Sequence, residues 1–209
     1  MHNCETSLLG AEDSCIQIFL ISGVPGVGKT TLSYELLKRF STFRIIQETD
    51  LIREILRGYN EYLQERYCDC NHILIPDHTK IFTYEELKEQ CIIMKNSIEQ
   101  IVLRQIRKGI PSILNGVHIV PEILNGIAGN HRIKFINLYI SSIDVLKKRL
   151  SNRDAKKYMP YLDVLFEANC ELYKSTQKLC KEIPDTFQNL DVTYLSIEKT
   201  IATALECFS

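Results

Sequence analysis

The chain has 209 residues, 45 % hydrophobic and 24 % charged, which suits one soluble globular domain with a sizeable core. Its 25 basic and 26 acidic residues leave a formal charge of −1, which argues against the broad basic field that long nucleic acid requires. No apolar run reaches the length of a membrane span, and Glu5, Glu12 and Asp13 stand where a signal peptide would be basic or apolar. The eight cysteines are scattered rather than patterned, so reduced thiols and a cytoplasmic setting are expected.

Residues 1–14 read as a loose N-terminal arm, and Ile16 to Ile21 as a first, buried strand. Next come Gly23, Val24, Pro25, Gly26, Val27, Gly28, Lys29 and Thr30, which fit G-x-x-x-x-G-K-[ST], followed by Thr31. At average composition, chance supplies such a match roughly once in 140 chains of this length, so an ordinary glycine turn is a poor explanation. A helix from Lys29 to Phe40 follows, with Leu32, Leu36, Leu37 and Phe40 on one side. Strand, glycine loop and helix together form the arrangement that wraps a nucleotide's phosphates. The glycines let backbone N–H groups close on the anion, and the helix points its positive end at it. Lys29 reaches the β and γ oxygens, the Thr30 hydroxyl coordinates Mg²⁺, and Thr31 faces the α-phosphate.

Phe43 to Gln47 reads as a second strand, followed by Glu48-Thr49-Asp50 and a helix through Leu51, Ile52, Ile55 and Leu56 that Gly58 ends. Residues 59–82 read as an irregular, substrate-facing insertion. Thr83 and Glu86 form a capping box that opens a long helix through Leu87, Cys91, Met94, Ile98, Ile101 and Val102. Ile110 to Leu114 is the third strand and Lys134 to Ile140 the fourth. A helix through Val145, Leu146 and Leu150 follows; Pro160 opens another, with Leu162, Leu165, Phe166, Leu172, Tyr173 and Leu179 in its stripe. Val192 to Leu195 is the fifth strand, and a last helix carries Ile197, Ile201, Leu205 and Phe208. Strands alternating with helices imply an α/β fold: a five-stranded, mostly parallel sheet with helices on both faces, in three layers, and a small lid over 149–160.

Ligands in such sheets bind at the carboxyl ends of the strands. After strand two comes Asp50, suited to accept a proton from an attacking hydroxyl, to orient it, or to hold Mg²⁺ through water; a plain helix N-cap is the competing role. Arg53 and Arg57 share a helical face and suit an anionic substrate, although Arg57 reads more readily as a solvated charge. After strand three, Asn115 stands where an acidic residue commonly steadies Mg²⁺, and His118 follows within reach of substrate. Arg149 and Arg153 share a face near a polar break, placed to bring cations to a transferring phosphoryl group. Cys68, Cys70, His72 and His78 lack a standard zinc spacing.

Four blocks now resemble the small kinases related to 2-phosphoglycerate kinase, within the nucleoside-monophosphate-kinase-like group of the P-loop NTPase fold. They are Ile21 to Thr31, Thr49-Asp50-Leu51-Ile52-Arg53-Glu54, Gly116-Val117-His118-Ile119-Val120-Pro121, and Arg149-Leu150-Ser151-Asn152-Arg153. The resemblance implies ATP-dependent phosphorylation of a small, anionic, hydroxyl-bearing metabolite, with Asp50 and Arg53 at the substrate and His118 near it. Two features depart from the family: Asn115 in place of an acid, and the Cys- and His-containing 59–82 segment. A nucleoside, nucleotide or polynucleotide kinase and a nucleotide-dependent regulatory module are the alternatives. Adenine is expected against the lid and the loop after Leu195.

Overall fold

The computed structural model describes residues 18–66 and 82–206. Strand β1 (Ile18–Ser22) is buried along its whole length. Its apolar run Ile18–Ile21 is what a strand needs when both faces of its sheet are covered, and each of these four side chains contributes about 1.5–3 kcal/mol by leaving water. It is followed by α1 (Lys29–Arg39), β2 (Ile45–Glu48), α2 (Thr49–Arg66), α3 (Tyr84–Lys108) and β3 (Ser112–Asn115). Then come α4 (Pro121–Leu124), β4 (Ile133–Tyr139), α5 (Ile143–Tyr158), α6 (Leu162–Glu182), β5 (Phe187–Asp191) and α7 (Ile197–Glu206).

All five strands are parallel, in the order β2-β3-β1-β4-β5. Helix α1 packs with α7, while α3 packs with α4 and α6, so the sheet is the middle of three layers. β1 is central, and the chain leaves it toward β2 and β3 before crossing to β4 and β5. The crevice beyond the carboxyl ends of β1 and β3 is therefore where a ligand belongs.

A row of polar side chains crosses the sheet at this end. Ser22 Oγ donates to Asn137 Oδ1 (3.0 Å), and Asn137 Nδ2 donates to Asn189 Oδ1 (2.8 Å). Asn189 Nδ2 then reaches the Tyr173 carbonyl and Gln177 Oε1 on α6. Ser22, Asn137 and Asn189 are register partners on β1, β4 and β5, so the sheet itself sets these contacts.

Three expectations change. The fifth strand lies at Phe187–Asp191, not Val192 to Leu195. Phe187 and Leu190 are its buried anchors, while Gln188 and Asn189 hide it behind polar side chains. Helix α2 does not stop at Gly58 but continues to Arg66, so 59–66 is helical; 67–81, with the Cys68, Cys70, His72 and His78 group, lies outside the described residues, as do the N-terminal arm and Phe208. Finally, Leu51 and Ile55 are exposed, and the buried positions of α2 include Ile52 and Arg53. The Thr83–Glu86 capping box forms as expected, with both reciprocal bonds made.

Candidate active site

The loop from Gly23 to Gly28 joins β1 to α1, and its three glycines have φ of +137°, +88° and +102°. At Gly23 a Cβ would also lie 2.7 Å from the Leu138 carbonyl oxygen, so only glycine lets the loop rest on β4. Lys29 Nζ donates to the carbonyls of Gly23 (2.7 Å) and Val24 (2.9 Å), folding the amine back over its own loop. Burial pulls its pKa down to about 7, with Arg153 adding to the effect and Asp50 and Glu48 opposing it. Thr30 and Thr31 are exposed at the first turn of α1.

In front of this loop lies a cavity of about 310 Å³, lined by residues from five segments of the chain. Lys29, Thr30, Asp50 and Arg153, all expected at the site, line it together with Pro25 of the loop. Cations and carboxylates therefore face one another across one space, as phosphoryl transfer requires. Among the described residues no group of three His, Cys, Asp or Glu side chains is placed to hold a metal ion. The open glycine loop, the exposed Thr30 and the nearby carboxylates fit a Mg²⁺–nucleotide complex.

Glu48 is a lining residue that the sequence reading passed over. It ends β2 and pairs in register with Asn115 at the end of β3, so a carboxylate stands beside the position that lacks one. The available signal was its place immediately after an apolar strand, two residues before Asp50.

Of the phosphate-loop residues and Thr31, only Pro25, Lys29 and Thr30 line the cavity, and outside that block three expected site residues do not line it. His118 is fully buried: Nε2 pairs with Gln90 Oε1 and Nδ1 with the Thr49 hydroxyl, each at 2.9 Å. With Gln90 Oε1 as acceptor, Nε2 carries the ring proton and Nδ1 accepts from Thr49. The Asp50 carboxylate lies 3.7 Å from the same Nδ1, beyond hydrogen-bond range, so His118 sits behind Asp50 and holds its neighbour Thr49. Arg53, 2 % exposed, grips Glu54 through Nε (3.1 Å) and Nη2 (2.6 Å) and brings Nη1 to 3.7 Å from Asp50 Oδ1. That Nη1 makes no hydrogen bond among the described residues, an expensive state for a buried donor at about 1–3 kcal/mol.

Arg149 is the clearest correction. Its guanidinium donates to the carbonyls of Val27 (3.2 Å) and Val192 (2.6 Å), with Thr193 O at 3.5 Å. It braces the phosphate loop against the segment after β5 and is not among the residues that line the cavity. The paired Arg153 does line the cavity, near the Tyr158 ring. Helix α5 breaks at Asp154 (φ −167°, ψ 89°), whose carboxylate caps Lys157 N, so Arg153 precedes the break and Lys157 and Tyr158 follow it. All three line the cavity, as does Phe82, which stacks on Tyr161 at 4.0 Å.

No family model matches the chain. It resembles the 2-phosphoglycerate kinase of Methanococcus vannielii, with 26 % identity over 210 residues, covering 90 % of this chain and 63 % of that protein. The 2-phosphoglycerate kinase of Pyrococcus horikoshii matches at 26 % over 213 residues with the same coverage. The chain thus spans 63 % of the length of these curated relatives. Among solved structures, an unliganded sugar kinase from Janibacter sp. superposes with a TM-score of 0.52 at 17 % identity, covering 91 % of this chain and 92 % of that one. Shikimate kinase from Acinetobacter baumannii, in complex with shikimate, gives 0.51 at 15 % identity, with 92 % of each chain covered. These structural likenesses establish the fold, that of the phosphate-loop kinases. No helix among the described residues is long and apolar enough to cross a membrane.

Proposed function

We propose that the chain is an ATP-dependent kinase that transfers the γ-phosphoryl group to a hydroxyl of a small anionic metabolite resembling 2-phosphoglycerate. The observation that carries this reading is the single cavity lined by Lys29 and Thr30 of a phosphate loop, by Glu48 and Asp50 at the end of β2, and by Arg153. Bound ATP supplies the phosphoryl group, and Mg²⁺ held by its phosphates offsets their charge.

In this reading the loop N–H groups and Lys29 hold the β and γ oxygens, and nearby phosphate keeps Lys29 cationic. Thr30, Glu48 and Asp50 are the residues that would hold the metal, whose charge would offset that of the phosphates. Asp50 aligns the acceptor hydroxyl and takes its proton as the oxygen bonds to phosphorus and the bond to the β-phosphate oxygen breaks. Arg153 offsets charge on the transferring group, and Lys157, which lines the same cavity, adds to it. Arg53 Nη1, buried 3.7 Å from Asp50 Oδ1 and outside the cavity lining, supports the reading by steadying that carboxylate from behind. The nucleoside lies against the lid and the loop after Leu195, close in sequence to the Val192 and Thr193 carbonyls that Arg149 holds.

The test is an acceptor screen with labelled ATP: 2-phosphoglycerate and related hydroxy acids, sugars, nucleosides, and an oligonucleotide with a free 5′ hydroxyl. Transfer to a small anion, lost in Asp50→Ala, is the expected result. Tight ATP binding with no transfer to any of them would favour a regulatory module instead.

A further inference from the structure

Asn115 occupies an unusual position for an amide. It ends β3, is 2 % exposed, and lines the cavity, yet its Nδ2 has no hydrogen-bond partner among the described residues. The backbone around it is fixed: Asn115 pairs in register with Ile21 and with Glu48, and the next N–H, from Gly116, donates to Ile21 O at 3.2 Å. The side chain therefore does not owe its place to a loose loop. A buried donor that is neither solvated nor paired is rare in a folded protein, because it has lost its water and gained nothing. Such a group becomes favourable when a ligand atom completes it.

The atom must be an acceptor, and the surroundings say of what kind. Lys29, Arg153 and Lys157 bring positive charge to the same cavity, with Thr30 at the mouth of the phosphate loop. A carboxylate at position 115 would only accept hydrogen bonds, and would add a third negative charge beside Glu48 and Asp50. An amide of nearly the same shape can donate to an anionic oxygen, and leaves Glu48 as the strand-end charge for the metal. We propose that Asn115 is a phosphoryl-oxygen donor: its Nδ2 donates a hydrogen bond to the terminal phosphoryl group of the bound nucleotide, and Glu48 takes over the metal-directed charge. This rests on the phosphate-binding part of the kinase reading.

The experiment titrates ATP into the intact protein by calorimetry, with EDTA and then with saturating Mg²⁺. The proteins compared are the parent, Asn115→Asp and Asn115→Leu, each checked by thermal melting. Asn115→Asp should bind metal-free ATP about 30-fold more weakly and recover part of that loss with Mg²⁺. Asn115→Leu should melt no lower than the parent, because an unpaired donor has been removed, and still bind ATP about tenfold more weakly in both conditions. Folded variants that bind metal-free ATP within about twofold of the parent would overturn the proposal. Should either variant fail to fold, the Asn115 side-chain amide resonances of the parent decide: they shift on adding metal-free ATP if the donor is used, and stay put if it is not. A parent protein that binds no ATP at all would instead bring down the phosphate-site reading, and this inference with it.

Discussion

The Nδ1 atom of His118 lies 2.9 Å from the Thr49 hydroxyl, tying the loop after β3 to the first turn of α2, where Asp50 faces the cavity. Nδ1 is 3.7 Å from the Asp50 carboxylate, too far to bond it, so the imidazole acts on Asp50 through the adjoining Thr49 that it holds. His118→Ala should lower kcat about 10–100-fold while changing the KM for ATP little. His118→Asn, which keeps one polar contact, should recover part of the loss. Steady-state kinetics on folded variants check this; a proportional rise in both KM values with kcat intact would assign His118 to substrate binding instead.

The same junction makes a stability prediction. A Cβ on Gly116 would sit 1.7 Å from Thr49 Oγ1, so Gly116→Ala forces the two segments apart. The expected cost is about 3 kcal/mol in denaturant unfolding. Gly109, at the end of α3 with φ +61° and open space around it, provides the contrast. There Gly109→Ala costs only the left-handed backbone penalty, about 1 kcal/mol. Equal losses at the two sites would contradict the steric argument.

Lys29 gives a pH dependence whose direction is set by burial. Its folded pKa is lowered to about 7 from the usual 10.5, so between those values the unfolded chain holds the extra proton. Stability of the ligand-free protein therefore rises with pH across that window and carries the full penalty below it. Lys29→Met removes the buried charge. Its melting temperature should exceed that of the parent near pH 6, with the gap shrinking toward pH 9. A gap that does not change with pH would mean that the amine titrates normally in the fold.

Arg149 should behave as a brace. Its contacts join Val27 of the phosphate loop to Val192 beyond β5, so Arg149→Met should loosen the nucleotide side and leave the acceptor side alone. The KM for ATP is expected to rise about tenfold, with kcat within about threefold of the parent. A large fall in kcat at saturating ATP would return Arg149 to the transfer step.

Much of this was legible in the sequence because few structures tolerate Gly-x-x-x-x-Gly-Lys-Thr after a buried apolar run. What stayed hidden did so for physical reasons. On α2, Thr49, Ile52 and Arg53 are buried and Leu56 is partly buried, a regular helical spacing, but an arginine within that stripe disguises it. The apolar Leu51 and Ile55 suggested a different face and turned out exposed. Strand β5 escaped notice because Gln188 and Asn189 satisfy their polar groups through α6 and the preceding turn, which no local pattern reveals. Arg149 and Arg153 share a helix face, yet one turn separates a guanidinium against backbone carbonyls from one at the cavity.

The amide row across the sheet bears on how this chain can drift. Ser22, Asn137 and Asn189 satisfy one another in sequence, so replacing any one alone strands its neighbour's donor or acceptor out of water. Replacing two together removes both halves of a bond and costs less than the two single losses combined. Positions 22, 137 and 189 are thus expected to change together. A relative that had lost one of these polar groups would be expected to have lost its partner too, even though none of the three touches the chemistry.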